Sequence, residues 1–365
     1  VNTFSVRRVA LPAAAVLTVG LALTACGNSD SSSSSSGGGG TLNGGGATSQ
    51  ATAQQTWRAN YQKDNGGTIN YEEVGSGTGV ENFTSKAYSF AGTDAYLDSD
   101  QMSAASDACG GDPIEVPGYV SPIAVAFNVS GVKSLNLDAK TIADIFNGTI
   151  TKWNDPAIAN PNPDAKLPDT AIATIHRSDE SGTTFNFTDY LNQASDGAWA
   201  DDANTVWPAS IKGGQGLEGT SGVVGGLTDT EGAIGYADDS AVKTTDLGVV
   251  SVKVGSSYNP PTAEGAAKVL EASPPAADQP ASSMATDIDR TATAKGDYPL
   301  MLVSYLLACP SYSDSATADM VKGYLTYVVS SDGQQAAAQT AGSAPLPASL
   351  STKATDLLSK ISSGS

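Results

Sequence analysis

Strand-like and helix-like segments alternate along this sequence from about residue 41 onward, which predicts an α/β class. Two quantities agree with that class. The chain has 365 residues, enough for two domains of ordinary size, and 40% are hydrophobic, enough for a sizeable core. No solenoid-type repeat is visible.

The elements follow in order. Residues 51–61 predict a helix, with Ala53, Trp57 and Tyr61 at helical spacing. Residues 68–74 predict a strand through Ile69, Tyr71 and Val74, and 80–85 a short helix. Residues 114–129, rich in Val, Ile, Tyr and Phe, predict one or two strands. Asp138 opens a short helix over 141–146. A strand over 172–175 precedes a helix over 183–193 carrying Phe187, Tyr190 and Leu191. Strands are expected over 233–236 and 247–254, a helix over 263–271 and a surface loop over 274–280. Residues 300–307 read as apolar throughout, which suits a central strand or a buried helix equally. Residues 315–330 predict an amphipathic helix with Met320, Tyr324, Tyr327 and Val328.

The first residues point to an extracytoplasmic protein. Arg7 and Arg8 form a basic start, and 9–23 is a small-residue apolar stretch, short for a membrane span and suited to a signal peptide over 1–25. Leu23, Thr24, Ala25 and Cys26 resemble a lipobox, so Cys26 is expected to be lipidated. The Ser- and Gly-rich residues up to 40 have nothing to bury and read as a flexible tether. In that compartment Cys109 and Cys309 are expected to form a disulfide rather than remain free thiols.

Charge and composition exclude several classes. A net charge of −19 disfavours nucleic acid. A single histidine, His176, and no CxxC pattern disfavour a zinc site, and no cofactor is expected. Acidity leaves room for a small anion held by backbone N–H groups, because salt screens distant carboxylates over about 8 Å.

Three segments repeat one design, a Gly/Ser/Thr loop leading into a helix. They are GGGATS at 44–49, GSGTG at 75–79 and RSDESGT at 177–183. Each offers helix N-terminal N–H groups, hydroxyls and close backbone approach. One such loop is an ordinary capped helix start; three, one of them with an arginine, point to an oxyanion site. None ends in Gly-Lys-Ser/Thr, so none is a nucleotide P-loop. The Arg177 fork suits a tetrahedral anion, and Asp179 stands two residues on to hold it. On spacing alone Arg177 is equally a surface residue, and Asp94 reads as a turn or capping aspartate.

At this point the chain resembles the phosphate-binding lipoproteins of bacterial phosphate-specific ABC transporters. The resemblance rests on GGGAT at 44–48, YEEVGSGTGV at 71–80, FAGTDAYL at 90–97, IADIFNGTITKWNDPAI at 142–158, HRSDESGTTFNFTDYL at 176–191 and GAIGYA at 232–237. It implies a type II periplasmic-binding-protein fold: two α/β domains joined by crossover hinge strands, with the ligand cleft between them. The implied domains are 41–128 plus 297–365, and 129–296. It implies an inorganic phosphate site at Thr48, Ser49, Ser76, Asp94, Arg177, Ser181, Gly182 and Thr183, with Asp179 in support. Ser49 takes a position usually occupied by Phe, which keeps a backbone donor and loses an aromatic wall. Asp94 would accept a hydrogen bond from a phosphate O–H and repel unprotonated sulfate.

The expected protein is a non-enzymatic monomer, anchored by lipid to the outer face of the cytoplasmic membrane and delivering phosphate to permease subunits. The alternatives are a receptor for another oxyanion such as sulfate, and a secreted phosphatase, for which a metal cluster or activated nucleophile is lacking in the sequence.

Overall fold

The structure, a computed structural model, describes residues 40–364. The expected signal peptide, Cys26 and all but the last residue of the expected tether lie outside the described residues.

The first third comprises β1 (Thr41–Gly46), α1 (Ala51–Asn65), β2 (Thr68–Glu72), α2 (Ser76–Thr84), β3 (Phe90–Thr93), α3 (Ser99–Cys109) and β4 (Ile114–Phe127). The middle comprises β5 (Ser134–Leu137), α4 (Ala139–Phe146), α5 (Pro156–Ala159), β6 (Ala173–Arg177), α6 (Gly182–Ala194), β7 (Gln215–Leu217), α7 (Gly219–Asp229), β8 (Ala233–Asp238), α8 (Asp239–Val242), β9 (Gly248–Val254), β10 (Ser257–Asn259) and α9 (Ala263–Ala272). The last part comprises β11 (Met301–Ala308), β12 (Ser311–Tyr312), α10 (Ser315–Val329), α11 (Ser331–Ala341), α12 (Ala348–Leu358) and β13 (Ser362–Ser363).

The main sheet runs β2-β1-β3-β11-β4-β8-β6-β7, with β9 joining β4 and carrying β5 and β10. Pairing is parallel among β1, β2 and β3, and again among β8, β6 and β7. It is antiparallel where β11 and β4 link the two parallel sets. All fourteen residues of β4 are buried. Its Ile114–Pro122 part pairs with β11, and from Ile123 onward it pairs with β8. One strand therefore hands the sheet from the first set to the second. Burial on both faces explains why 114–127 reads as a nearly continuous apolar run.

Most expected elements appear within a residue or two, and the ambiguous 300–307 run is strand β11. Two readings change. Residues 44–46 are the end of a strand rather than a loop. A Cβ on Gly44 would lie 2.3 Å from the Phe90 ring, and one on Gly46 (φ +138°) 2.0 Å from the Gly92 oxygen. Glycine is there so that β3 and its ring can press against β1, which a loop motif does not reveal. The 76–79 segment is likewise the first turn of α2, not a loop before it. The chain turns at Gly75 (φ +89°), and the helix starts at once.

Cys109, at the end of α3, is bonded to Cys309, just after β11. The disulfide covers a small apolar cluster that includes Val80, Phe83, Leu97 and Leu307. It joins two segments separated by 200 residues. Among the described residues no helix is long and apolar enough to cross a membrane.

Candidate oxyanion site

The three glycine- and hydroxyl-rich segments converge. The Gly77 N–H donates to the Glu180 carbonyl at 3.0 Å, which ties the start of α2 to the turn before α6. Thr48 Oγ1 accepts from the Thr220 N–H at 3.1 Å and shares a second hydrogen bond with Thr220 Oγ1 at 2.9 Å. That contact joins the turn after β1 to the start of α7.

Asp94 sits at their meeting point. It follows β3 directly and is 3% exposed. It caps no helix: its carboxylate accepts three side-chain hydroxyls instead. Ser49 and Ser304 donate to Oδ1 at 2.6 and 2.5 Å, and Thr183 donates to Oδ2 at 3.0 Å. Its backbone is held as well. The Asp94 N–H donates to Ser76 Oγ at 3.2 Å, and its carbonyl accepts from Asn186 Nδ2 at 2.7 Å. Burial pushes the Asp94 carboxyl above the ordinary aspartate range, while the hydroxyls of Ser304, Ser49 and Thr183 and the Arg177 charge oppose that rise.

Arg177 ends β6 and is 2% exposed, so it is no surface arginine. Its Nε donates to Asp179 Oδ1 at 2.7 Å, and its Nη2 donates to Asp179 Oδ2. This two-point grip fixes the plane of the guanidinium, and among the described residues its other nitrogen has no side-chain partner. Asp179 also accepts from the Gly219 N–H at 3.1 Å. Burial raises the Asp179 carboxyl, but the Arg177 bonds and charge and the Gly219 N–H outweigh it and hold the group below the usual range. Asp179 stays ionised and keeps the arginine oriented.

Ser181 is the N-cap of α6 and accepts from the Thr184 N–H at 3.2 Å. The N–H groups of Gly182 and Thr183 then lie in the first turn, where no intrahelical acceptor exists. Gly182 has no room for a side chain. A Cβ there would lie 2.6 Å from Asp94 Cβ, 2.7 Å from Ser76 Oγ and 2.9 Å from the Ala95 nitrogen.

All eight expected ligand residues, with Asp179, therefore gather in one buried place. The cluster combines a guanidinium fixed by Asp179, helix N-terminal N–H groups, hydroxyls and the buried Asp94 carboxyl. Such a set can surround a small oxyanion that carries a proton. Among the described residues no group of three or more His, Cys, Asp or Glu stands ready for a metal ion.

Sequence reasoning passed over Thr220, Ser304 and Gln50. Ser304 had a readable signal: it is the one small polar residue in the run 300–307, between Val303 and Tyr305, and reading that run as apolar throughout hid it. Thr220 and Gln50 had none, because the contacts that bring them to the site, with Thr48 and Ser304, are remote in sequence.

Residues 31–332 match the model of the PBP superfamily domain. The phosphate-binding protein PstS 3 of Mycobacterium tuberculosis is 33% identical over 329 residues, spanning 86% of this chain and 88% of that protein. The chain belongs to the PstS family of phosphate-binding proteins. PstS 2 of the same organism is 34% identical over 321 residues, spanning 87% of this chain and 86% of the relative. Solved structures agree on the fold of the family. A high-affinity periplasmic phosphate-binding protein, PfluDING, solved with phosphate, superposes with a TM-score of 0.70 at 23% identity, covering 86% of this chain and 92% of that one. A Clostridium perfringens protein described as a putative phosphate ABC transporter substrate-binding protein, also with phosphate bound, gives a TM-score of 0.59 at 17% identity and covers 82% of this chain and 98% of that one. The strand exchange at β4 and β11 is thus part of a periplasmic phosphate-binding-protein fold.

Proposed function

We propose that this PstS-family protein captures inorganic phosphate outside the cytoplasm and delivers it to the permease subunits of an ABC importer. The observation that carries the proposal is the burial of Asp94 and Arg177 in one cluster of donors. Arg177 supplies the countercharge. The hydroxyls of Thr48, Ser76 and Ser181, the backbone N–H of Ser49 and the first N–H groups of α6 supply hydrogen bonds to the ligand oxygens, while the Ser49 and Thr183 hydroxyls hold Asp94. Asp94 supplies the one acceptor, which phosphate satisfies with a P–O–H and sulfate cannot. The phosphate named in the relatives and solved structures supports the same ligand.

The test is titration calorimetry of phosphate-stripped protein with phosphate, arsenate and sulfate. Phosphate and arsenate should bind and sulfate should not. Asp94→Asn should narrow the phosphate-to-sulfate ratio, because an amide can donate to an unprotonated oxygen. Arg177→Ala should weaken every oxyanion, by about 2–5 kcal/mol for a buried charge partner. An unchanged ratio in Asp94→Asn removes Asp94 from the site.

The working cycle rests on two domains, 41–128 plus 297–365 and 129–296, hinged near Asn128 and Asp297 and closing on the ligand. Thr48, Ser76 and Asp94 then belong to one domain and Arg177 to Thr183 to the other. The partner change along β4 supports this division. Scattering curves identical with and without phosphate count against it. The protein acts as a monomer, catalyses no reaction and is tethered through a diacylated Cys26. Hydrolysis of a generic phosphate ester by the pure protein, or full membrane retention of Cys26→Ser, would overturn the last two of these three points.

A further inference from the structure

Behind Asp94 runs a line of buried polar groups that the phosphate site does not itself require. Tyr324, on α10, donates its hydroxyl to Gln54 Oε1 at 2.6 Å. Gln54 Nε2 donates to Gln50 Oε1 at 2.8 Å. Gln50 Nε2 donates to Ser304 Oγ at 2.6 Å, and Ser304 Oγ donates to Asp94 Oδ1 at 2.5 Å. Tyr324, Gln54, Gln50 and Ser304 are each 0% exposed. The groups come from α10, α1, the turn before it, and β11. Tyr71 Oη and the Gln50 amide also leave no room for a side chain at Gly92, whose Cβ would lie 2.4 and 2.8 Å from them.

The line has one direction. An ionised carboxylate only accepts, so Ser304 must give it a proton. Its oxygen then has to accept, and Gln50 turns its NH2 toward it. The Gln50 carbonyl then faces Gln54 Nε2, and the Gln54 carbonyl faces the tyrosine hydroxyl. Each donor is polarised by the next, and the whole chain of dipoles ends on Asp94. With Ser49 also donating to Oδ1, that oxygen is held by two protein hydroxyls, and Oδ2 is the one turned to Thr183 at the start of α6.

We propose that Tyr324, Gln54, Gln50 and Ser304 form a positioning relay for specificity, holding Asp94 as an ionised acceptor so that only protonated oxyanions are selected. The proposal rests on the phosphate reading of the site and adds residues outside its expected ligand set. The charge it manages has to be managed somehow: burial pushes the Asp94 carboxyl up, and Ser304 is the strongest of the hydrogen bonds that oppose the rise. The other charged or titratable groups facing Asp94 are Arg177 from β6, Tyr71 from β2 and, around the small cavity beside it, Tyr96, Asp189, Asp287, Arg290 and Tyr305.

Sulfate is the probe, because it carries no proton from mildly acidic to alkaline pH and any pH dependence of its binding comes from the protein. In the unsubstituted protein sulfate should bind only as acidification protonates Asp94, which then donates. Ser304→Ala should move that onset upward by about one to two pH units, the shift expected when one hydrogen bond to a charged group is lost. Gln50→Met should move it less in the same direction, and Ser304→Thr should restore the original onset. An unmoved onset in Ser304→Ala overturns the relay. So does a loss of phosphate and sulfate affinity that is uniform with pH, which is the mark of a purely structural residue. The carbon-13 resonance of the Asp94 carboxyl in the unsubstituted protein gives a readout independent of folding defects and of any ligand. An ionised carboxylate at neutral pH supports the relay, and a protonated one overturns it. Failure of the unsubstituted protein to bind phosphate instead overturns the phosphate reading and leaves this resonance to decide the relay.

Discussion

If the site opens when empty, as the proposed hinged cycle requires, Gly182→Ala separates the cost of closing the site from the cost of folding the chain. In isolation the substitution favours folding. Gly182 has no positive φ and stands in the first turn of α6, so alanine gains up to about 1 kcal/mol of helix propensity. The opposing term is geometric. The new methyl would lie 2.6 Å from Asp94 Cβ, 2.7 Å from Ser76 Oγ and 2.9 Å from the Ala95 nitrogen; the Ser76 hydroxyl could rotate away, but the Cβ and the backbone nitrogen could not. Carbon atoms rest about 3.5–4.0 Å apart, so the start of α6 and the end of β3 would have to separate by about 1 Å. The Thr183-to-Asp94 hydrogen bond, now 3.0 Å, would break. Overpacking of this kind costs about 1–3 kcal/mol. Charged against binding alone, it weakens phosphate by about 5- to 150-fold, at 1.4 kcal/mol per factor of ten. Calorimetry gives the affinity, and thermal unfolding of the ligand-free protein gives the stability. The expected pattern is weaker binding with a melting temperature unchanged or slightly raised. Wild-type affinity in Gly182→Ala refutes the argument, because the two elements would then not need to meet at this distance.

Three further outcomes follow from buried groups. Burial pushes Glu115 from 4.5 up to about 7, against hydrogen bonds from Ser283 and Leu97, so the native state keeps a proton that the unfolded chain releases. That stability is complete below about pH 4.5 and is lost as pH rises through about 7, about 3 kcal/mol in all. Glu115→Gln should flatten the urea-stability profile in this window, leaving the part due to Asp238, which burial also pushes up to about 7; an unchanged slope excludes Glu115. Opening the Cys109–Cys309 bond by Cys309→Ser should lower stability by up to about 5 kcal/mol, since it releases a 200-residue loop, and a loss near zero in denaturant titrations would contradict this. Arg290 is 1% exposed and donates to Asp189, Asn186 and the carbonyls of Pro299 and Met301. Arg290→Met should cost about 3–5 kcal/mol in the same assay, because it strands the partly buried Asp189 carboxylate, and a loss under about 1 kcal/mol would count against that.

Local chemistry in the sequence determined much of this protein. The run 114–127 carries enough β-branched and aromatic residues to be a strand in any buried setting, and Asp138 and Ser181 cap the helices that follow them. The Arg177–Asp179 pair is local too, since a two-residue spacing at a strand end lets the fork reach its carboxylate. Only the tertiary structure decided the surroundings of Asp94. Its carboxylate is defined by Ser49, Thr183 and Ser304, which lie 45, 89 and 210 residues away, and no local pattern distinguishes it from a turn aspartate. The same holds for Gln50, bonded to a serine 254 residues on, and for Thr48, bonded to Thr220 across 172. The β1 strand was hidden for a related reason. Glycine has little intrinsic preference for a strand, and 44–46 is one because β2 and β3 pair with it on both sides and Phe90 needs the space. Propensity and capping act within a few residues and are legible one segment at a time. Hydrogen-bond partners and steric limits between distant segments exist only once the sheet has brought those segments together.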